Sequence, residues 1–179
     1  ISDVIDASDL KEVSLVGHSQ GCLVAIETAS RYPDKVKSLS LMGGGGTIPM
    51  NPELLNLAEK GNPKAVDLMM DWAHGPAGHF GGHVVPGLHH INIGGTIVHN
   101  GSIKDALGVD FRACDNYKNG FQAAKKIKCP TINILGEYDR MIPVKEGKKL
   151  AENISNSEVE IIPNCGHMIL LEEADQALK

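Results

Sequence analysis

The sequence has few aromatic residues, 4% in all, with three tyrosines, three phenylalanines and one tryptophan. That excludes an aromatic stacking platform for sugars or bases. It has no excess of positive charge: the net charge is −5, and no basic run offsets it. Phosphate binding needs a basic face, so neither nucleic acid nor an anionic membrane surface is expected as the main partner. No apolar run reaches the ~18 residues that span a bilayer. The four cysteines, Cys22, Cys114, Cys129 and Cys165, form no C-x-x-C pair. A zinc knuckle or a dithiol redox site is therefore not expected, and buried free thiols in a reducing, cytoplasmic setting are. A signal peptide is not visible, and the chain starts at Ile1.

What the sequence does have is alternation. "EVSLV" (Glu12 to Val16) reads as a strand, and "QGCLVAIETASR" (Gln20 to Arg31) as a helix that stops before Tyr32-Pro33. "VKSLSLM" (Val36 to Met42) is a strand that ends in four glycines, Gly43 to Gly46. Thr131 to Leu135 and Val159 to Ile162 are further strands, with an exposed helix from Val144 to about Ile154 between them. Such alternation predicts βαβ units, an α/β fold and a parallel sheet.

The rhythm breaks from Thr47 to about Lys128. Asn51-Pro52 and Asn62-Pro63 read as N-caps followed by proline in a first helical turn. The glycine- and histidine-rich run "HGPAGHFGGHVVPGLHHINIGG" fits neither period, and Ser102 to Lys118 suggests one or two short helices. The expected layout is one domain in three stretches. Residues 1–46 and 129–179 belong to the core, and 47–128 form a helical lid inserted where ligands bind.

Chemistry concentrates at three places. Gly17-His18-Ser19-Gln20-Gly21 is a G-x-S-x-G between a strand and a helix, the pattern of a nucleophile elbow. Such a turn is expected to need tiny residues two positions before and two after the serine. The helix N-terminus and the backbone N–H of Gln20 would favour a developing oxyanion. "ILGEYDRMIP" puts Asp139 past a strand end, and "IIPNCGHMILLE" puts His167 past the next. A serine near neutral pH needs a base, and the base an orienting carboxylate. Ser19, Asp139 and His167 supply them in that chain order.

With "VGHSQG", "KIKCPTINILGEYDRMIP" and "VEIIPNCGHMILLEE" in this order, the sequence resembles the α/β-hydrolase superfamily over nearly all its length. The resemblance implies the C-terminal part of that family's parallel sheet, with a lid insertion. It implies Ser19 as nucleophile, His167 as general base and then acid, and Asp139 as the orienting carboxylate. The reaction implied is acyl transfer to water from a small carboxylic ester, with no cofactor and no metal. Hydrolysis of a C–C bond in a β-diketone-like compound, and a binding protein of the same fold without turnover, are the alternatives. The family's strands before the elbow, and the His-Gly loop among them that supplies a second oxyanion donor, have no counterpart in Ile1 to Lys11. The chain is thus expected to be a fragment with half an oxyanion hole and an exposed sheet edge. Losing one such donor typically costs about 10²–10³ in rate. Because His167 must be neutral to act as base, activity is expected to fall on acidification.

Other features have plainer readings. His79 and His83 have the spacing of two metal ligands on a helix, but glycines between them and no nearby carboxylate argue against a site. Gly43 to Gly46, without the Lys-Ser/Thr of a phosphate loop, is expected to be a flexible entry to the lid. Met69, Met70 and Trp72 are expected in the lid core, and Cys165 as a buried structural thiol.

Overall fold

The computed structural model describes residues 1–79, 90–101 and 105–179. Along the chain run α1 (Ser2–Ala7), β1 (Val13–His18), α2 (Gln20–Arg31), β2 (Val36–Met42), α3 (Pro52–Glu59) and α4 (Lys64–Ala73). Next come α5 (Pro76–His79), α6 (His90–Gly101), α7 (Ala106–Asn116), α8 (Gly120–Ala124), β3 (Thr131–Gly136), α9 (Val144–Ala151), β4 (Ser157–Ile162), α10 (Ile169–Glu172) and α11 (Ala174–Ala177). They gather into two compact units. One holds Ile1–Thr47, Lys118–Leu135 and Ile142–Ile161; the other holds Ile48–Tyr117, Gly136–Met141 and Ile162–Lys179.

The first unit contains a four-stranded parallel sheet in the order β1-β2-β3-β4. Leu15 pairs with Leu39 and His18 with Met42; Leu39 pairs in turn with Thr131 and Met42 with Ile134. Leu39 and Leu41 on β2 are fully buried, as befits a central parallel strand. The amphipathic face of α2 meets them with Cys22, Ala25, Ile26 and Ala29. Burying Ile26 or Leu39 contributes about 1.5–3 kcal/mol each before side-chain entropy is counted. Ala123, Ala124 and Ile127 complete this core, so the end of the stretch expected to be insertion packs with the strands.

Gly43 to Gly46, expected to be a loose entry, are buried. A Cβ on Gly44 would lie 2.8 Å from Cys22 Sγ, and one on Gly46 would lie 2.5 Å from the Phe121 ring. Gly44 and Gly46 are there for close packing, and Gly43 for a backbone at φ 55°.

The second unit is helical; the start of α3 follows its sequence signal, whereas the N-cap of α4 is Pro63 and not the expected Asn62. Asn51 Oδ1 accepts from Glu53 N at 2.9 Å and from Leu54 N at 3.1 Å, with Pro52 opening α3. Asn62 Oδ1 accepts from Lys64 N at 3.0 Å at the start of α4. Leu54, Leu55, Ala58, Ala65 and Phe111 form the core, with Met69 and Trp72 packed against it. The histidine-rich run, expected to be irregular, supplies α5 and α6 at its two ends. Gly94 of α6 lies so close to Met70 that a Cβ there would meet its Cε at 2.3 Å. Glycine weakens the helical signal while permitting the contact. His83 and His89 lie outside the described residues. Among the described residues, no helix is long and apolar enough to cross a membrane.

Replacing Asn51 by Ala removes both capping bonds of α3. The expected loss is about 1 kcal/mol of stability, read as a lower urea midpoint at unchanged slope. An unchanged midpoint would show the cap to contribute nothing.

Candidate active site

Ser19 sits between β1 and α2 with φ 54° and ψ −121°. Asp9, Asp105 and Asn164 are the other described non-glycine residues at positive φ, and Asp and Asn tolerate that region. Serine is less suited to it, and the ψ of Ser19 also lies far from the left-handed helical well. The strain is held from both sides: Ser19 N donates to Met42 O at 3.0 Å, and Cys22 N donates to Ser19 O at 2.9 Å. Although Ser19 occupies the N-cap position, its side chain makes no capping bond to α2. Its hydroxyl is not committed to helix architecture. Gln20, the first residue of the helix, has a backbone N–H without an acceptor inside α2.

The two elbow glycines differ. A Cβ on Gly17 would lie 2.7 Å from Gly21 O and 2.9 Å from Cys22 Cα, a collision with main chain. A Cβ on Gly21 would meet nothing within 4 Å among the described residues. The expectation that both positions must be tiny therefore holds for Gly17, and at Gly21 no described residue imposes it.

Beneath the turn, the buried Cys22 thiol donates to Gly17 O at 3.2 Å. Burial pushes this thiol up from 9.0 to about 12, against the smaller lowering effect of its backbone hydrogen bonds. All four cysteines are unpaired. Cys165 is buried too, and burial, with the nearby carboxylates of Glu172, Glu173 and Asp139, pushes it up to about 12. An oxidant sensor needs an accessible thiolate, which Cys165 does not offer.

Asp139 and His167 are brought together in the second unit. Asp139 Oδ2 lies 2.7 Å from His167 Nδ1, with both residues buried at 6% and 3% exposure. Nδ1–H donates to the carboxylate, so the neutral ring carries its lone pair on Nε2. Asp139 Oδ1 accepts from Met141 N at 2.8 Å, which fixes the carboxylate plane. Tyr138 N donates to Cys165 O at 2.8 Å and His167 N to Ala73 O at 2.8 Å, so the acid loop, the histidine loop and the end of α4 are tied by main chain. A Cβ on Gly136 would fall 1.9 Å from Gly166 O, so the two loops touch where neither has a side chain. Ser19 and Gln20 belong to the first unit.

Sequence reading passed over some neighbours. Ala73 acts through its carbonyl, which leaves no residue signature. Arg140, next to Asp139, lines a cavity of about 290 Å³ with His74, His79 and Tyr138, and another of about 390 Å³ with Met50, Leu54, Trp72 and Met141. His79 does have a carboxylate nearby, contrary to expectation: Asp71 Oδ1 lies 3.5 Å from its Nδ1. No group of three potential metal ligands occurs among the described residues.

A family model described as the alpha/beta hydrolase fold matches residues 1–75 and 92–174. The chain belongs to the alpha/beta hydrolase fold family. One curated relative of this hydrolase-fold chain is the 2-hydroxy-6-oxononadienedioate/2-hydroxy-6-oxononatrienedioate hydrolase 1 of Pseudomonas putida. It is 23% identical over 185 residues, covering 98% of this chain and 63% of its own length. A solved structure of a thermophilic esterase is similar with a TM-score of 0.80 and 28% identity, over 98% of this chain and 66% of that one. A meta-cleavage product hydrolase from Pseudomonas fluorescens shares the fold with a TM-score of 0.72 and 21% identity, over 97% of this chain and 64% of that one. The alpha/beta hydrolase chain thus spans less than two thirds of the length of these relatives.

Gly17→Ala should lower stability by several kcal/mol, since main chain has to move. Gly21→Ala should be neutral or stabilising by up to about 1 kcal/mol, because it replaces a helical glycine. Denaturant titration of both variants checks this, and equal losses would contradict the assigned asymmetry.

The raised thiol of Cys22 makes a second prediction. Its contribution to stability is intact below pH 9 and is withdrawn as the pH rises towards 12. The stability difference between the wild type and Cys22→Ala should therefore shift against the wild type across that window. A constant difference would contradict the burial of a neutral thiol.

Proposed function

We propose that Ser19, His167 and Asp139 act together as a hydrolytic triad that cleaves a carboxylic ester, or a related acyl bond, of a small molecule. The strained backbone of Ser19 carries this reading, because it sets a half-buried hydroxyl at a strand-to-helix turn without using it as a cap. The buried Asp139–His167 pair, on loops that follow two other parallel strands of the sheet, supplies the remaining chemistry.

In the proposed mechanism His167 Nε2 takes the Ser19 proton as Oγ attacks the carbonyl carbon. The tetrahedral oxyanion draws on the Gln20 N–H at the start of α2. The imidazolium, steadied by Asp139 through Nδ1–H, then passes its proton to the leaving alcohol as the C–O bond breaks. Water repeats the sequence on the acyl-enzyme, releasing the acid and restoring Ser19. The thermophilic esterase is a relative consistent with this substrate class.

A second reading is hydrolysis of a C–C bond next to a carbonyl. The relatives named as 2-hydroxy-6-oxononadienedioate and meta-cleavage product hydrolases favour it. The same serine and imidazole would then serve a carbon leaving group.

A fluorophosphonate probe tests the shared core. One label on Ser19 is expected, with none in Ser19→Ala and a rate lowered on the order of 10⁴-fold in Asp139→Asn. Absence of labelling in the wild type would overturn the triad. Turnover of a series of p-nitrophenyl esters against a vinylogous β-diketone acid then separates the two substrate classes.

A further inference from the structure

The turn after α4 and the loop that carries His167 meet at one carboxylate. Glu172 Oε2 accepts from Gly75 N at 2.7 Å and from Gly166 N at 3.2 Å. Its Oε1 accepts from Gly166 N at 3.1 Å and from Met168 N at 3.2 Å. Gly166 and Met168 are the residues on either side of His167. Met168 N also donates to Ala73 O at 3.1 Å, alongside the His167 N bond to the same carbonyl. The main chain bracketing the imidazole is therefore held by one carboxylate and one carbonyl.

The packing leaves this arrangement no slack. A Cβ on Gly166 would lie 2.2 Å from Gly75 N and 2.9 Å from Glu172 Oε1. A Cβ on Gly75 would lie 2.8 Å from Gly166 N and 2.9 Å from Glu172 Oε2. The two backbones cross over the carboxylate with room for no side chain. Three N–H groups converge there, and only an ionised carboxylate answers them with acceptors alone. Its charge also strengthens each bond to about twice a neutral one. Glutamine would present one oxygen and turn its own N–H groups towards the remaining donors.

We propose that Glu172 is a positioning residue for His167, setting the imidazole against Asp139 by pinning the main chain on both sides of it. The effect on rate rests on the triad reading above; the effect on geometry does not. Residue type matters here in length as well as charge: aspartate keeps the charge but stops one methylene short of the three amides.

The test follows the proton between His167 Nδ1 and Asp139 Oδ2 by NMR in the far-downfield region, assigned by its loss in His167→Gln. Glu172→Gln should move this resonance upfield and speed its exchange with water. Fluorophosphonate labelling of Ser19 should slow by about 10²-fold, as for a catalytic group misplaced by about 1 Å. Glu172→Asp should behave like Glu172→Gln, whereas full recovery by Asp would assign the effect to charge alone and overturn the positioning role. An unchanged resonance in folded Glu172→Gln would overturn it as well. A wild type that never labels, combined with a resonance that responds to Glu172→Gln, supports the positioning role and removes only the triad reading. If neither variant folds, amide exchange on the unaltered chain decides: Gly75, Gly166 and Met168 should be protected together, and rapid exchange of all three would sink the proposal.

Discussion

Main chain touches main chain where β1 hands over to α2, and the geometry of the elbow follows from that contact. With Gly17 against Gly21 O and Cys22 Cα, the strand passes under the first helical turn at a distance no side chain allows. The connecting residue is left with few conformations, and Ser19 takes one at positive φ. The same contact aligns the start of α2 over the sheet, so that Cys22 and Ile26 seal the core below it. The bond from Ser19 N to Met42 O then fixes the turn to the end of β2. Strain at one residue persists because several unstrained contacts surround it.

The second unit solves its positioning problem with carboxylates. Asp139 answers His167 and Met141 N; Glu137 answers Asn164 N at 2.9 Å; Glu172 answers Gly75, Gly166 and Met168. Loops have no ladder to satisfy their amides, so side-chain acceptors take that part. A bond from a backbone N–H to an ionised carboxylate is stronger than one to a neutral acceptor, which suits loops packed around a buried imidazole. Glycines at 75, 136 and 166 let the segments come close enough for this to work.

Local patterns were legible where one segment carries the whole signal. Helix Gln20–Arg31 and strand Val36–Met42 have the bounds read from period and punctuation, with Pro33 and Gly43 marking their ends. Asn51 caps α3 as its Asn-Pro signature suggests, while at α4 the N-cap is Pro63 and Asn62, one residue earlier, accepts from Lys64 N. Asp139 and His167 each lie past a strand end in the sequence, and their side chains meet. Illegible were Gly21, where an added Cβ meets nothing among the described residues; Gly43 to Gly46, which are buried where looseness was expected; and α6, where Gly94 lies against Met70. Glu172 was equally hidden, because its partners are amides, and amides belong to every residue alike.

The sequence by itself determined the α/β alternation, the elbow and the order serine, acid, histidine, because propensity, period and turn chemistry act over a few neighbouring residues. The tertiary structure alone decided which glycines are sterically required, which thiols are buried out of reach, and which carboxylate holds the histidine loop. Those depend on what a residue meets from distant parts of the chain, and close packing makes that a matter of tenths of an ångström.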